Sequence, residues 1–393
     1  MRGRQLVAVL GVLAVLLAGC ERVTRHDGDN PQPVRPAWQS VALPAPPGAP
    51  GRLMLRDAAA CGGRWYVVGA VADAVGATRP AAWTSVDGST WAAMTLAPRT
   101  YYGRQHVLYS VACRAGRVAL LGAKRGGAHA NPRTSSWRHL TDGSLDEVTA
   151  PFELYGGPRA VDVARVVSGG RGWLIAGNRT SGAAVWLSPD STRFTIVEGA
   201  PELASDARGE TWNFDAVETG SGWLAVGGVV PAGRVDRDPL AWVSTDGVGW
   251  RRVAVPGGRE YDELQRVVLL DGRPVAVGLR GRAFGAWRLE GGPARGSWRA
   301  AGGFGVGREN GIPGVRGLVV AGGELYAATT DGLKHSLWRS GDEGDTWQPV
   351  DGPSSMPAGA ERAVALLGTA DHLLILVDDA GGGRVFRAPA GGR

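Results

Sequence analysis

From about residue 37 onward the chain consists of short runs of alternating apolar and polar residues, broken by Gly-, Asp- and Asn-bearing turns. Nowhere does a 3.6-residue period persist, so the runs read as strands. One phrase, a turn followed by a short apolar run, recurs along the chain. It appears as GGRWYVVGA from Gly62, AGRVALLGA from Ala115, GRGWLIAGN from Gly170, GSGWLAVGG from Gly220, DGRPVAVGL from Asp271, GGELYAATT from Gly322 and ADHLLILVD from Ala370. A further short strand precedes each, as in LYSVACR, NFDAVET and LQRVVLL. Downstream comes an apolar-Trp pair, a turn with Asp-Gly, and a second Trp. The clearest copies carry Trp83, Asp87 and Trp91; Trp242, Asp246 and Trp250; and Trp338, Asp342 and Trp347. Worn copies hold Trp137 with Asp142, Trp186 with Asp190, and Trp287 with Trp298. The first Trp of each falls at 83, 137, 186, 242, 287 and 338, a period near fifty.

One unit is therefore four short strands joined by tight turns. Units of that size and period predict an all-β, seven-bladed β-propeller of four-stranded blades; six or eight blades follow if a worn unit is misread. The last unit ends in GRVFRAPAGGR and lacks a fourth strand, while AWQSVALPAP at 37–46 matches the fourth strands of other units. The N-terminal strand Trp38 to Leu43 is expected to close the last blade, which removes an exposed sheet edge. The propeller then spans 37–393, with 37–46 the closing strand, 47–52 a connection and 53–393 the blades.

The first residues have a different pattern. Arg2 and Arg4 precede an apolar run from Leu6 to Leu17, too short to span a bilayer, which needs roughly 20 residues. The run ends in Leu17-Ala18-Gly19-Cys20, which resembles a bacterial lipobox of actinobacterial type; the alternative is an ordinary signal peptide that contains a Cys. The resemblance implies a signal peptide at 1–19, lipid such as palmitate on Cys20, and an extracytoplasmic domain anchored to the cell membrane. The Pro- and charge-rich 20–36 reads as a tether.

Composition changes this picture little. The formal charge of +6 falls to +4 without Arg2 and Arg4, and Lys occurs only at 124 and 334. A mild basic excess favours anionic lipid or wall polymer. No nucleic-acid motif is present, and export argues against one. With Cys20 lipidated, Cys61 and Cys113 remain, at equivalent places in consecutive units. A disulfide between them and two buried free thiols are both compatible with the sequence.

The stretch SGDEGDTW, Ser340 to Trp347, concentrates Asp342, Glu343 and Asp345. Ser340, Asp342, Gly344, Thr346 and Trp347 match the Ser-x-Asp-x-Gly-x-Thr-Trp pattern of the Asp-box, or BNR repeat, of sialidase-like propellers. The copies at Ser85 to Trp91 and Ser244 to Trp250 are one residue shorter. Recurrence assigns Asp87, Asp246 and Asp342 to turns and Trp91, Trp250 and Trp347 to wedges between blades, because a catalytic acid would appear once. Glu343 and Asp345 are expected as solvated tip residues.

The loops from each outer strand to the next inner strand carry the candidate site. They hold Tyr101, Tyr102, Arg104 and Tyr155; Arg159, Arg208, Glu210 and Trp212; Arg259, Tyr261, Arg308 and Glu309. Such a rim suits a carboxylate-bearing or sugar-like ligand, or a protein segment. It equally suits Arg–Glu pairs that bridge blades. The chain has no Phe-Arg-Ile-Pro-like segment of sialidases, no metal-site His-Glu-x-x-His or Cys-x-x-Cys, and no Gly-x-Ser-x-Gly elbow. Neither metal nor cofactor is expected. The preferred reading is a binding module at the envelope, its partner an envelope protein or glycan; the alternative is a sialidase-like glycoside hydrolase or lyase.

Overall fold

A computed structural model describes residues 32–126, 131–292, 295–307 and 311–391. The proposed signal peptide, Cys20 and most of the tether lie outside these residues, as do Arg308 and Glu309. Seven antiparallel sheets follow one another along the chain. Blade 1 comprises Arg52–Cys61, Arg64–Ala72, Thr78–Ser85 and Trp91–Ala93. Blade 2 comprises Val107–Arg114, Arg117–Gly126, Asn131–His139 and Leu145–Val148, with Leu96–Ala97 added in parallel outside. Blades 3, 4, 5 and 6 begin with the inner strands Ala160–Gly169, Gly209–Thr219, Asp262–Leu270 and Gly314–Ala321. Blade 7 comprises Ala363–Gly368, His372–Asp378 and Gly383–Pro389, and its fourth strand is the N-terminal Gln39–Val41. There Gln39 faces Arg387 and Val41 faces Val385, so the ring closes as the sequence indicates. The inner strands contact one another in ring order, blade 7 meeting blade 1.

The two recurring tryptophans do different work. Trp83, Trp137, Trp186, Trp242 and Trp287 are fully buried on third strands. In blades 1, 3, 4 and 5 the indole N–H donates to a carbonyl of an incoming segment: Pro44 at 2.8 Å, Leu154 at 2.7 Å, Glu202 at 2.9 Å and Pro256 at 2.8 Å. A buried N–H needs such a partner, and here the partner ties a loop to its blade. The second Trp packs against the preceding blade. Trp91 joins a cluster with Leu374 and Val385 of blade 7, Trp250 one with Leu174 of blade 3, and Trp347 one with Phe284 of blade 5.

Between the second Trp and the third strand lies the Ser-x-Asp turn. Asp87 Oδ1 accepts the N–H groups of Ser89 and Thr90 at 2.8 Å each, and Ser85 Oγ accepts that of Gly88 at 2.9 Å. Asp246 and Ser244 repeat this with Val248, Gly249 and Gly247. Asp342 takes both the N–H and the hydroxyl of Thr346, at 2.8 and 2.6 Å. These bonds favour the ionised carboxylate, and Asp87 and Asp246 are held below the usual range. Gly88 and Gly247 sit at φ +70° and +82°, where a side chain would be strained.

Two local expectations change. Glu343 and Asp345 are not merely solvated: Glu343 pairs with Arg273 and with Arg288, the latter at 3.3 Å, and Asp345 with Arg288 at 3.4 Å and Arg299 at 3.3 Å. The wedge places the turn of blade 6 over blade 5, within reach of its arginines. Asp142 is also not the counterpart of the other turn acids. It caps its own turn through Ser144, at 2.9 Å to the N–H and 2.6 Å to the hydroxyl. Strand register aligns His139, not a serine, with Ser85, and Leu145, not a Trp, with Trp91.

Candidate functional site: the central channel

The inner strands break their own alternation at one position. In blades 1 to 6 the register slips by one residue, leaving Arg56, Tyr109, Ala164, Phe214, Gln265 and Arg316 as bulged residues. A bulge bends the strand and re-aims side chains. All six bulged residues line a cavity of about 640 Å³ in the channel, together with Asp57, Arg165, Arg266, His335 and Arg362. In blades 1 to 5 the second strand makes room for the bulge with glycine, and in blade 6 Thr329 stands there. A Cβ on Gly69, Gly227 or Gly278 would lie 1.8 Å from the carbonyl oxygen of Met54, Trp212 or Glu263. This explains the glycine in VVGA, AVGG and AVGL.

The residue after the bulge fastens neighbouring blades. Asp57 Oδ2 accepts the Val111 N–H at 2.9 Å, Ser110 Oγ that of Val166 at 3.1 Å, and Asp215 Oδ2 that of Val267 at 3.2 Å. In blade 3 this place holds Arg165, which points across the channel to Asp215 at 3.5 Å and Asp57 at 3.8 Å. Burial pushes the Asp215 carboxyl up, and Arg165 and Arg266 oppose that. Arg56 bonds Asp378 at 2.5 Å, and Arg52 bonds the same carboxylate at 3.1 Å.

The remaining cations are compensated less: Arg266 feels Asp215 and Asp57 only at longer range. Among the described residues no carboxylate lies within 4 Å of Arg266, Arg316 or Arg362. Arg266 donates to the Gln265 carbonyl at 2.6 Å, while its Nε has no partner. Burial, with the charge of Arg165 beside it, lowers the Arg266 guanidinium to about 10. His335 is buried, neither ring nitrogen is hydrogen-bonded, and burial with the field of Arg316 lowers it to about 4. The cavity wall thus carries more cations than carboxylates, with Arg316 and Arg362 open to solvent, an arrangement suited to an anion.

None of the loop residues described lines this cavity. Tyr101 is exposed and meets Tyr102 edge-on at 5.2 Å. Arg104 donates to the Thr100 carbonyl, Arg159 pairs with Glu198 at 3.0 Å, and Arg208 pairs with Asp206 and Glu202. Tyr155 is buried against Trp186. Glu210 and Arg259 are exposed. Trp212 and Tyr261 are brought together, with Phe214, around the guanidinium of Arg237, whose carbon lies 5.1, 5.5 and 5.4 Å from the three rings. Arg237 also donates to the Tyr261 hydroxyl at 2.7 Å and to Glu263. The Tyr261 hydroxyl donates to Glu263 at 2.8 Å, and Gln265 on the channel wall donates to the other Glu263 oxygen.

Cys61 and Cys113 are disulfide-linked, with Cα atoms 5.7 Å apart, and join the inner strands of blades 1 and 2. Among the described residues no three metal-ligating side chains cluster, and no helix is long and apolar enough to cross a membrane.

The sequence matches no protein-family model and no curated protein. Solved structures match its fold. The β-propeller domain of Swd1 from Myceliophteria thermophila aligns at 13% identity with TM-score 0.51, covering 89% of this chain and 98% of its own. The β-propeller domain of the Trilobed protease from Pyrococcus furiosus aligns at 11% identity and TM-score 0.50, over 87% of this chain and 94% of its own. An endosialidase of phage phi92 aligns at 10% identity and TM-score 0.50, over 91% of this chain and 70% of its own. Neighbours this distant share the fold while differing in function.

Proposed function

We propose that this chain is a lipid-anchored, extracytoplasmic β-propeller of the Asp-box kind, acting as a binding module that takes an anionic group of an envelope protein or glycan into its channel. The observation that carries the reading is that Arg266, Arg316 and Arg362 line one cavity with no carboxylate in ion-pair contact among the described residues. A bound carboxylate or phosphate would accept charge-assisted hydrogen bonds there. The run ending in Leu17-Ala18-Gly19-Cys20 supports the anchor, and the Ser-x-Asp turns support the Asp-box resemblance. Calorimetric titration with inorganic phosphate and with N-acetylneuraminate in low salt should detect binding that weakens at least about tenfold in Arg266→Gln and Arg316→Gln. Equal affinity in wild type and variants would overturn it. Labelled palmitate should enter the wild type and not Cys20→Ser.

A glycosidase or lyase is the second reading. One observation favours it: Tyr261 and Glu263 form a hydrogen-bonded pair beside the channel wall. Burial and the Glu263 charge raise the phenol, which keeps it protonated at neutral pH. Turnover of aryl-sialosides or other aryl-glycosides, lost in Tyr261→Phe, would establish catalysis.

A further inference from the structure

Strand register defines one wedge position per blade, at the start of the outermost strand. Six blades put an aromatic ring there: Trp38, Trp91, Phe194, Trp250, Trp298 and Trp347. Blade 2 puts Leu145 there. In blades 1, 4 and 6 the wedge indole N–H donates to its turn glycine, at 3.2, 2.8 and 3.1 Å. Leu145 is fully buried against Tyr66, Val68 and Met94, so the wedge position is filled by a smaller side chain. Beside it, between blades 1 and 2, a cavity of about 420 Å³ opens on the face opposite the loops at the channel mouth.

Its walls are apolar and polar in a specific arrangement. Tyr66 and Met94 of blade 1 are buried and form the floor, and His139 meets Tyr66 edge-on at 6.0 Å. Thr84 Oγ1 and His139 Nδ1 are buried without hydrogen-bond partners. Desolvation and the nearby arginines lower His139, which keeps it neutral and able to accept a hydrogen bond. Exposed Arg64 and Arg117 border the opening, and no carboxylate lies within 4 Å of either among the described residues. The acid that faces His139 is Asp142 of its own turn.

The walls are also fixed. The Tyr66 hydroxyl crosses to the Gly116 carbonyl at 2.9 Å, the Gly116 N–H donates to Cys61 Sγ at 3.3 Å, and the Cys61–Cys113 disulfide lies beside them. The blade pair without an aromatic wedge is the pair with a covalent one. The slot can therefore stay open without loosening the ring.

We propose that this slot is a docking site for one aromatic side chain of a partner polypeptide, flanked there by acidic residues. The ring enters over Tyr66 and Met94, its N–H or O–H meets Thr84 or His139, and the acids meet Arg64 and Arg117. The probe is an acetylated, amidated Asp-Trp-Asp tripeptide with 5-fluorotryptophan, followed by fluorine NMR against the full chain. Line broadening is expected with wild type, with at least tenfold weaker binding of the Lys-Trp-Lys analogue. Thr84→Trp, at a residue that lines the slot, should occupy it and abolish the broadening. If Thr84→Trp does not fold, the surface double variant Arg64→Glu with Arg117→Glu keeps the test intact, with binding expected to fall at least tenfold. No broadening at millimolar peptide, undiminished binding in a folded Thr84→Trp or in the double variant, or equal binding of the Lys-Trp-Lys analogue would each overturn the proposal.

Discussion

Replacing Gly278 with Ala tests how the channel is built. The added Cβ would sit 1.8 Å from the Glu263 carbonyl oxygen, where ordinary contact begins at 3.4 Å. The two strands must separate by roughly 1.6 Å, or the bulge that presents Gln265 and Arg266 must flatten. Both atoms are backbone-bound, so no rotamer change relieves the clash. Overpacking of this kind costs about 1–3 kcal/mol. Loss of a bulge hydrogen bond adds about 1 kcal/mol. The expected total is about 2–4 kcal/mol. Gly220→Ala is the control, since nothing lies within 4 Å of its Cβ, and an exposed site of that kind shifts stability by no more than about 0.5 kcal/mol. Urea unfolding followed by tryptophan fluorescence at neutral pH separates the two. Anion titration of the folded Gly278→Ala should also weaken by about tenfold or more, because a site needs its groups within about 0.5 Å. A Gly278→Ala protein as stable as Gly220→Ala, with unchanged anion affinity, would refute the link between glycine, bulge and channel.

Asp342→Ala removes two hydrogen bonds from Thr346 and one from Ser340, and should cost about 1–2 kcal/mol in urea unfolding while leaving channel titrations unchanged. Substituting Cys61 and Cys113 with Ser, 52 residues apart, should cost on the order of 4 kcal/mol by chain entropy, read as a lower urea midpoint. The two buried histidines set an acid limit. His106 and His335 are each lowered to about 4, so the folded state binds fewer protons than the unfolded state between about pH 6.5 and 4. Each contribution is intact above pH 6.5 and is lost as pH falls toward 4, by up to ~3 kcal/mol per group. Asp162, raised to about 6 by burial, titrates in the opposite sense and offsets part of this. His335→Gln should therefore flatten the stability profile between pH 6.5 and 4; an unchanged slope would contradict the burial argument.

The blades, the ring closure and the turn acids were legible because each depends on local chemistry repeated at a fixed offset. A Trp beside an Asp-Gly turn looks the same in every copy. The channel was less legible because a bulge abolishes the period-two alternation that marks which face a residue occupies. LRDA, LYSV, VARV, NFDA, LQRV and VRGL align with the bulged residue second, yet that residue changes from Arg to Tyr, Ala, Phe and Gln. The signal was the glycine in the following strand of blades 1 to 5, replaced by Thr329 in blade 6; it records the bulge rather than the side chain the bulge presents. The loops attracted attention through polar and aromatic residues, but several of these hold the scaffold. Trp212 and Tyr261 wall in Arg237, and Tyr155 packs on Trp186. Blade 2 misled for the converse reason: Asp142 keeps the turn chemistry but sits one residue later in its turn than Asp87 does.

The pairing of Gln39 with Arg387 has a consequence for how the chain is made. A ribosome produces the closing strand first and its partner almost last. Until synthesis is nearly complete the first strand has no mate, and the growing ring presents one open sheet edge that moves with each added blade. Six blades can assemble from near neighbours, but the seventh must wait for a contact across nearly the whole polypeptide, and contacts of that span form slowly. Loss of Gln39–Val41 or of Gly383–Pro389 strikes the same sheet. A protease that senses unpaired sheet edges would thus read one feature, whether the last blade has found its first strand.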